Sequence, residues 1–242
     1  MKKIYLYFTK TKIKRPKFGR RFVIGDIHGC AETLQNLIEV QLKLTTNDQL
    51  FLLGDMIQKG PQSRQTIDYI IDLIKQGYKI YPIRGNHEQE ALNTSDEEPE
   101  LLIWLFKNSQ DMLDNDKLKK KYYNFFSALP YYYELDNFFL VHAGFNFKVK
   151  YPFEDFKSMM WIRKFETNEK FIGNKTIIHG HQPQDIFTIK DDIAKKKKVI
   201  GLDCGVNYRK KHKIYDYKKM AWLCALDMDS YELYIQKNIE LY

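Results

Sequence analysis

Arg21-Phe-Val-Ile-Gly-Asp-Ile-His-Gly29 opens as a run of apolar residues, stops at a glycine, and then presents a carboxylate and an imidazole two residues apart. An apolar run of this length closed by glycine is the pattern of a buried strand. The pattern recurs twice. Gln49-Leu-Phe-Leu-Leu-Gly54 leads into Asp55, and Tyr78-Lys-Ile-Tyr-Pro-Ile-Arg84 leads into Gly85-Asn86. Between these strands, Ala31 to Leu44 sets Leu34, Leu37, Ile38 and Leu42 at helical spacing. Ser63 to Gln76 sets Ile67, Ile70, Ile71 and Ile74 on one stripe, which Gly77 stops. Strand–helix–strand–helix–strand predicts an α/β fold, with a largely parallel sheet there and right-handed crossovers. Asp26, Asp55 and Asn86 then fall just past the ends of three successive strands, where open α/β sheets bind ligands.

Downstream, the pattern is helical from Asn93 to about Pro130, with helices expected over Glu98 to Lys107 and Asp116 to Leu129. Strand signals return after Pro130, at residues 131–135, 137–141, 176–179, 198–202, 221–226 and 232–235. The last two read as a hairpin around Met228-Asp229-Ser230. No repeat or flexible linker interrupts the chain. The expected organisation is a basic N-terminal segment over residues 1–20 and a single domain over residues 21–242.

A hydrophobic share of 44% and a mean hydropathy of −0.52 suit a soluble globular chain with a sizeable core. The longest apolar stretch, around Leu101 to Phe106, is too short to span a bilayer. The N-terminus lacks the apolar region and cleavage site of a secretory signal, so a cytoplasmic protein with no membrane partner is expected. Three cysteines without pairing motifs suit a reducing compartment, and Cys30 reads as a small residue at a helix start rather than a nucleophile. The net charge of +8 gathers in runs such as Lys117–Lys121 and Lys195–Lys198. Neither run is interleaved with aromatics in a nucleic-acid-binding pattern, so solvated faces are preferred over nucleic-acid binding. A monomer is expected.

Five of the six histidines lie in short motifs with Asp, Asn or Gly, and only His212 stands apart, in a basic segment. Imidazole nitrogen and carboxylate oxygen suit borderline divalent metals, and a two-metal site needs about six such groups converging from different loops. Asp26, His28, Asp55, Asn86, His142 and His181 supply them, with Asp55 available as a bridge. His179 and Glu88 read as supporting residues, and Asp203 as part of a turn.

Gly25-Asp-Ile-His-Gly29, Gly54-Asp-Met-Ile-Gln-Lys-Gly60, Arg84-Gly-Asn-His-Glu88, Val141-His-Ala-Gly144 and His179-Gly-His-Gln-Pro183 follow one another in an order that resembles the phosphoprotein phosphatase superfamily of metallophosphoesterases. Its small bacterial serine/threonine protein phosphatases and symmetrical diadenosine tetraphosphatases are the most similar branches. The resemblance implies the calcineurin-like architecture, two mixed β-sheets sandwiched between helical layers. It implies that Asp26, His28 and Asp55 hold one divalent ion and that Asp55, Asn86, His142 and His181 hold a second. Mn2+ is the foremost candidate, and the ligand set also permits Fe, Zn or Co. The ions would activate a bridging water for in-line attack on phosphorus. Arg84 and Arg163 would clamp phosphate, and His87 would protonate the leaving group. The expected activity is a serine/threonine protein phosphatase. The alternatives are a dinucleoside polyphosphate hydrolase and a weakly active phosphate-recognition module. The substrate partner is thus a phosphorylated protein or a nucleotide. One position departs from the superfamily pattern. Where a second aspartate usually supports the leaving-group histidine, this chain has Gln58, followed by Lys59 in place of arginine. Gln58 can orient His87 but cannot stabilise its imidazolium by charge.

Overall fold

The computed structural model describes residues 11–97, 99–208, 216 and 218–240. The first half of the basic N-terminal segment, residues 1–10, and His212 lie outside them. The three expected strands form as β1 (Arg21–Ile24), β2 (Gln49–Leu52) and β3 (Lys79–Pro82), which pair in parallel. Their side chains alternate between two cores, as the period of two along a strand requires. Phe22, Ile24, Leu50, Leu52 and Ile80 face a helical layer built by α1 (Ala31–Asn36) and α2 (Ser63–Lys75). Val23, Phe51 and Tyr81 face the other way, onto a second sheet.

That second sheet carries β6 (Tyr132–Glu134), β7 (Phe138–Val141), β8 (Thr176–His179) and β9 (Val199–Gly201), in that spatial order. Leu140, Ile178 and Ile200 point inward at the first sheet, and Tyr133 sets its edge against both Phe51 and Tyr81 at 5.7 Å. Phe139, Val141 and Ile177 point outward, under α6 (Phe156–Trp161) and α7 (Glu169–Ile172). The expected hairpin is present as β10 (Trp222–Asp227) and β11 (Leu233–Lys237). It extends the first sheet, with β10 antiparallel to β1. Both sheets are therefore mixed, and helices flank them.

The structure departs from the sequence expectation in three places. The first helix is α-helical only to Asn36. It continues as a π-turn over Leu37–Gln41, where the Leu42 amide bonds back to Leu37. The wider turn keeps Leu37, Ile38 and Leu42 buried together. The helical stretch expected from Asn93 begins earlier, with α3 (Asn86–Glu97) followed by α4 (Pro99–Leu105). The helix expected over Asp116 to Leu129 shortens to α5 (Lys120–Ala128). Ahead of it, β4 (Leu113–Asp114) and β5 (Lys117–Leu118) form a small hairpin. Its turn residues Asn115 and Asp116 have φ of 48° and 58°, the left-handed pair that a two-residue hairpin loop requires. Among the described residues, no helix is long and apolar enough to cross a membrane.

Candidate metal centre

The six candidate ligands come from both sheets. Asp26 and His28 follow β1, Asp55 follows β2 and Asn86 opens α3 after β3. His142 follows β7, and His181 follows β8. Three of them sit in strained backbone, with φ of 47° at His28, 46° at Asp55 and 65° at His181. Such conformations cost on the order of 1–3 kcal/mol each and persist where the surroundings enforce them. Here the amides of Ile27 and His28 both donate to the Asp55 carbonyl, at 3.1 and 2.8 Å. Glu88, fully buried, completes the clamp. Its carboxylate accepts from the amides of Asp55 and Gly85 at 2.9 Å and from Met56 at 2.7 Å. Glu88 thus ties the loop after β2 to the start of α3.

The tautomer of His142 follows from its backbone partner. His142 Nδ1 lies 2.8 Å from the Leu53 carbonyl, so Nδ1 carries the proton and Nε2 presents a lone pair. That lone pair faces Asn86 Oδ1 at 3.0 Å, His181 Nδ1 at 3.2 Å and Asp55 Oδ1 at 3.4 Å. His181 Nδ1 in turn lies 3.0 Å from Asn86 Oδ1, and its Nε2 is buried without a partner. Burial holds His142 below the usual imidazole range and His181 at about 3, so both rings are neutral at pH 7. His142 Nε2, Asn86 Oδ1 and Asp55 Oδ1 thus converge as electron-pair donors with His181 Nδ1 beside them, and a divalent cation fits such a set.

On the other side, His28 Nδ1 faces the Ile57 carbonyl at 3.3 Å, which leaves Nε2 as its donor. Nε2 is 3.8 Å from both Asp26 Oδ2 and Asp55 Oδ2. Burial, then the neighbouring carboxylates of Asp203 and Asp55, pushes the Asp26 carboxyl well above its usual range, an excess of acid that a cation would relieve. Asp55 thus turns one oxygen to each cluster, the geometry of a bridge.

His87 also approaches Asp55, with Nε2 at 3.7 Å from Oδ2, and geometry alone would admit it as a ligand. Its Nδ1 is held by Gln58 Oε1, and Glu90 Oε2 stands 3.8 Å from that same nitrogen. A carboxylate therefore does reach this histidine, from one turn along α3. Burial nevertheless lowers His87 to about 4.

Arg84 is 8% exposed. Its Nη1 donates to Gln89 and to the Tyr131 hydroxyl at 2.8 and 3.0 Å, and its Nη2 donates to the Ser127 carbonyl at 2.7 Å. Nε has no partner. Nε is thus a buried N–H that no protein atom satisfies, and Nη2 has a second N–H beyond the one given to Ser127. Arg163 lies beyond the end of α6 and is exposed. Its carbonyl accepts from Gln182 Nε2, and its charge bears on His181.

Residues with supporting parts also come into view. Asp203 caps its own turn, accepting from the Gly205 amide at 2.8 Å, as expected, but its buried carboxylate also acts on Asp26. His179 is buried, with Nδ1 2.9 Å from the Gly180 carbonyl. Cys30 is a buried residue before α1. Lys59, which stands in place of the superfamily's arginine, places Nζ 2.9 Å from His28 Nε2. Gly180 backs directly onto Asp26, because a Cβ there would stand 2.0 Å from Oδ1. Gly180→Ala should therefore displace Asp26 and weaken ion binding on that side by roughly 10–100-fold, the usual effect of disturbing a ligand's support. Calorimetric titration of the folded variant checks this, and unaltered affinities would refute it.

Buried carboxylates and neutral imidazoles gathered at the ends of parallel strands from two packed sheets define a metallophosphoesterase-type centre. Residues 19–220 match the calcineurin-like phosphoesterase family, and the chain belongs to it. Two relatives named symmetrical bis(5'-nucleosyl)-tetraphosphatase come from Vibrio campbellii and Psychromonas ingrahamii. The first is 29% identical over 131 residues, 51% of this chain and 44% of its own length. The second is 31% identical over 128 residues, 51% of this chain and 43% of its own length. The chain thus aligns with less than half the length of these curated relatives. Among solved structures, a putative diadenosine tetraphosphatase superposes with a TM-score of 0.63 at 20% identity, covering 93% of this chain and 97% of its own. A serine/threonine phosphatase from Saccharomyces cerevisiae superposes with a TM-score of 0.67 at 14% identity, covering 100% and 89%. These likenesses show a shared fold.

Proposed function

We propose that the chain is a dimetal phosphoesterase that hydrolyses the phosphoanhydride bonds of a dinucleoside polyphosphate in preference to phosphoserine or phosphothreonine esters. The observation that carries this reading is His87 resting on Gln58. Cleaving an alkyl ester expels an alkoxide, which needs a proton in the transition state. His87 could give that proton only as an imidazolium. Burial disfavours that form, and Gln58 adds no charge to restore it. Cleaving a phosphoanhydride expels a nucleotide phosphate, which departs as a stabilised anion and needs no acid. The tetraphosphatase name of the relatives supports the same substrate class.

Asp26, His28 and Asp55 would hold one ion, and Asp55, Asn86, His142 and His181 the other. When bound, the ions would supply Lewis acidity and lower the pKa of water. Arg84 and Arg163 would orient the phosphoryl oxygens and stabilise charge developing on them. Glu88 would hold Asp55 and Asn86 in register. A second reading, the protein phosphatase, draws support from Glu90, whose carboxylate stands within 3.8 Å of His87 Nδ1.

The test compares kcat/KM for diadenosine tetraphosphate, an aryl phosphate and a phosphoserine peptide under one metal loading, in wild type and in Gln58→Asp. A carboxylate at position 58 would pair with the His87 imidazolium and raise its pKa. The wild type should favour the tetraphosphate. Gln58→Asp should raise peptide turnover by about tenfold or more while leaving the tetraphosphate and aryl substrates within a factor of about two. A wild type that prefers the phosphopeptide, or equal gains on all three, would rule this assignment out.

A further inference from the structure

Gln58 and Lys59 are consecutive non-glycine residues in left-handed backbone, with φ of 65° and 61°. The loop they form lies against the site. Gly60 N bonds to the His28 carbonyl at 2.8 Å, and Gln58 N bonds to Ser63 Oγ at 2.9 Å. Although Lys59 as a residue is exposed, this backbone turns its amine inward, 2.9 Å from His28 Nε2. His28 Nδ1 already faces the Ile57 carbonyl, so Nε2 holds the ring's one lone pair. An ammonium hydrogen and a divalent ion cannot both take that pair, and two cations at this range repel. The other cluster differs. The partners drawn at His142 Nε2 and His181 Nδ1 are Asn86, Asp55 and each other.

We propose that Lys59 is a tethered cation that competes with metal for His28, so that the two ions load in order, the Asn86–His142–His181 side first and the Asp26–His28 side second. The inference rests on the dimetal reading above and adds a hierarchy that the reading alone does not contain. An ammonium that holds the nitrogen nine-tenths of the time lowers the apparent affinity of the second ion about tenfold, because only the displaced fraction can bind. The exposed lysine stem lets the ammonium swing out without disturbing the core. Its charge is felt on both sides of the centre, at Asp26, His28, Asp55 and His87 and also at His142 and His181, whereas its direct contact is with His28 alone among the candidate ligands.

The experiment titrates the full chain with Zn2+. Calorimetry gives the two stepwise dissociation constants, and histidine-ring NMR reports which imidazole responds at each step. Wild type, Lys59→Met and Lys59→Ala are compared, with circular dichroism to confirm folding. In wild type the His28 signals should move only in the second step, and that step should be the weaker by about tenfold or more. In both variants the second constant should fall by about tenfold, with the first nearly unchanged. Four outcomes overturn the inference: His28 responding in the first step of wild type, no change in either constant, equal tightening of both, or a wild type with equal constants. Equal tightening would mark simple loss of a positive charge. A wild type that takes up no ion would be a different failure, since it removes the dimetal reading together with the order of loading.

Discussion

Asp55→Asn should abolish turnover and weaken ion binding on both sides of the centre at once. Asp55 is the carboxylate that offers an oxygen to each cluster, Oδ1 to His142 at 3.4 Å and Oδ2 to His28 at 3.8 Å. Asparagine keeps the size but removes the charge, and it puts an N–H donor where one of the two lone-pair oxygens was. A metal's Lewis acidity is worth several kcal/mol of transition-state stabilisation, so losing it should lower kcat by about a thousandfold or more. The same substitution spares the Asp55 amide, which bonds to Glu88, so the loop should keep its course. Metal content after gel filtration, read by elemental analysis, should fall below two ions per chain. Two ions retained with ordinary turnover would remove Asp55 from its bridging role, and with it the shared-ligand arrangement.

The second large effect is expected at Arg84. Arg84→Ala should cost about 2–4 kcal/mol in kcat/KM, the usual size for removing one preorganised donor to developing charge. Part of any change could arise from structure, because Arg84 also binds Ser127 and rests its cation 4.8 Å from the Tyr131 ring. Arg84→Lys separates the two contributions. Lysine keeps the positive charge but cannot present two parallel N–H groups. It should therefore lose most of the catalytic effect while recovering affinity for inorganic phosphate in part. Inhibition by phosphate and by vanadate, measured beside the melting temperature, provides the readout. A variant that loses stability but keeps kcat/KM would make Arg84 a packing residue.

The sequence disclosed the site more fully than its supports. Histidine is sparse in this chain, so its gathering beside Asp, Asn and Gly carries information, and all six proposed ligands meet in the structure. The parallel strands were legible because Phe22–Ile24 and Leu50–Leu52 are apolar on both faces, as strands between two cores must be. The hairpin at Leu113–Leu118 was not, since two-residue strands have no period to detect, and its turn residues also suit a helix start. The start of α3 at Asn86 was hidden by the polar Asn-His-Glu sequence. That concealed Glu90 as well, because its approach to His87 depends on both residues lying on the same helix, three apart. Lys59 was the least readable of all. Its inward reach depends on two successive left-handed residues, which no side-chain pattern announces.

The division of the ligands between two sheets bears on how the molecule comes into being. During synthesis the first sheet's contributions emerge early, but β1 has its antiparallel neighbour only when β10 arrives some two hundred residues later. His142 and His181 likewise follow strands of the second sheet. A nascent chain that has produced Asp26 through Asn86 therefore carries acids and imidazoles without the partners that position them. Pairings this distant in sequence form slowly. Such distant pairing predicts that the candidate centre would form late in folding, when the C-terminal hairpin closes the first sheet and the second sheet docks. Metal arriving before that moment would find a half-site on a flexible chain. Metal arriving after it would join residues of both sheets, so that the ions would act as a seal on a finished fold.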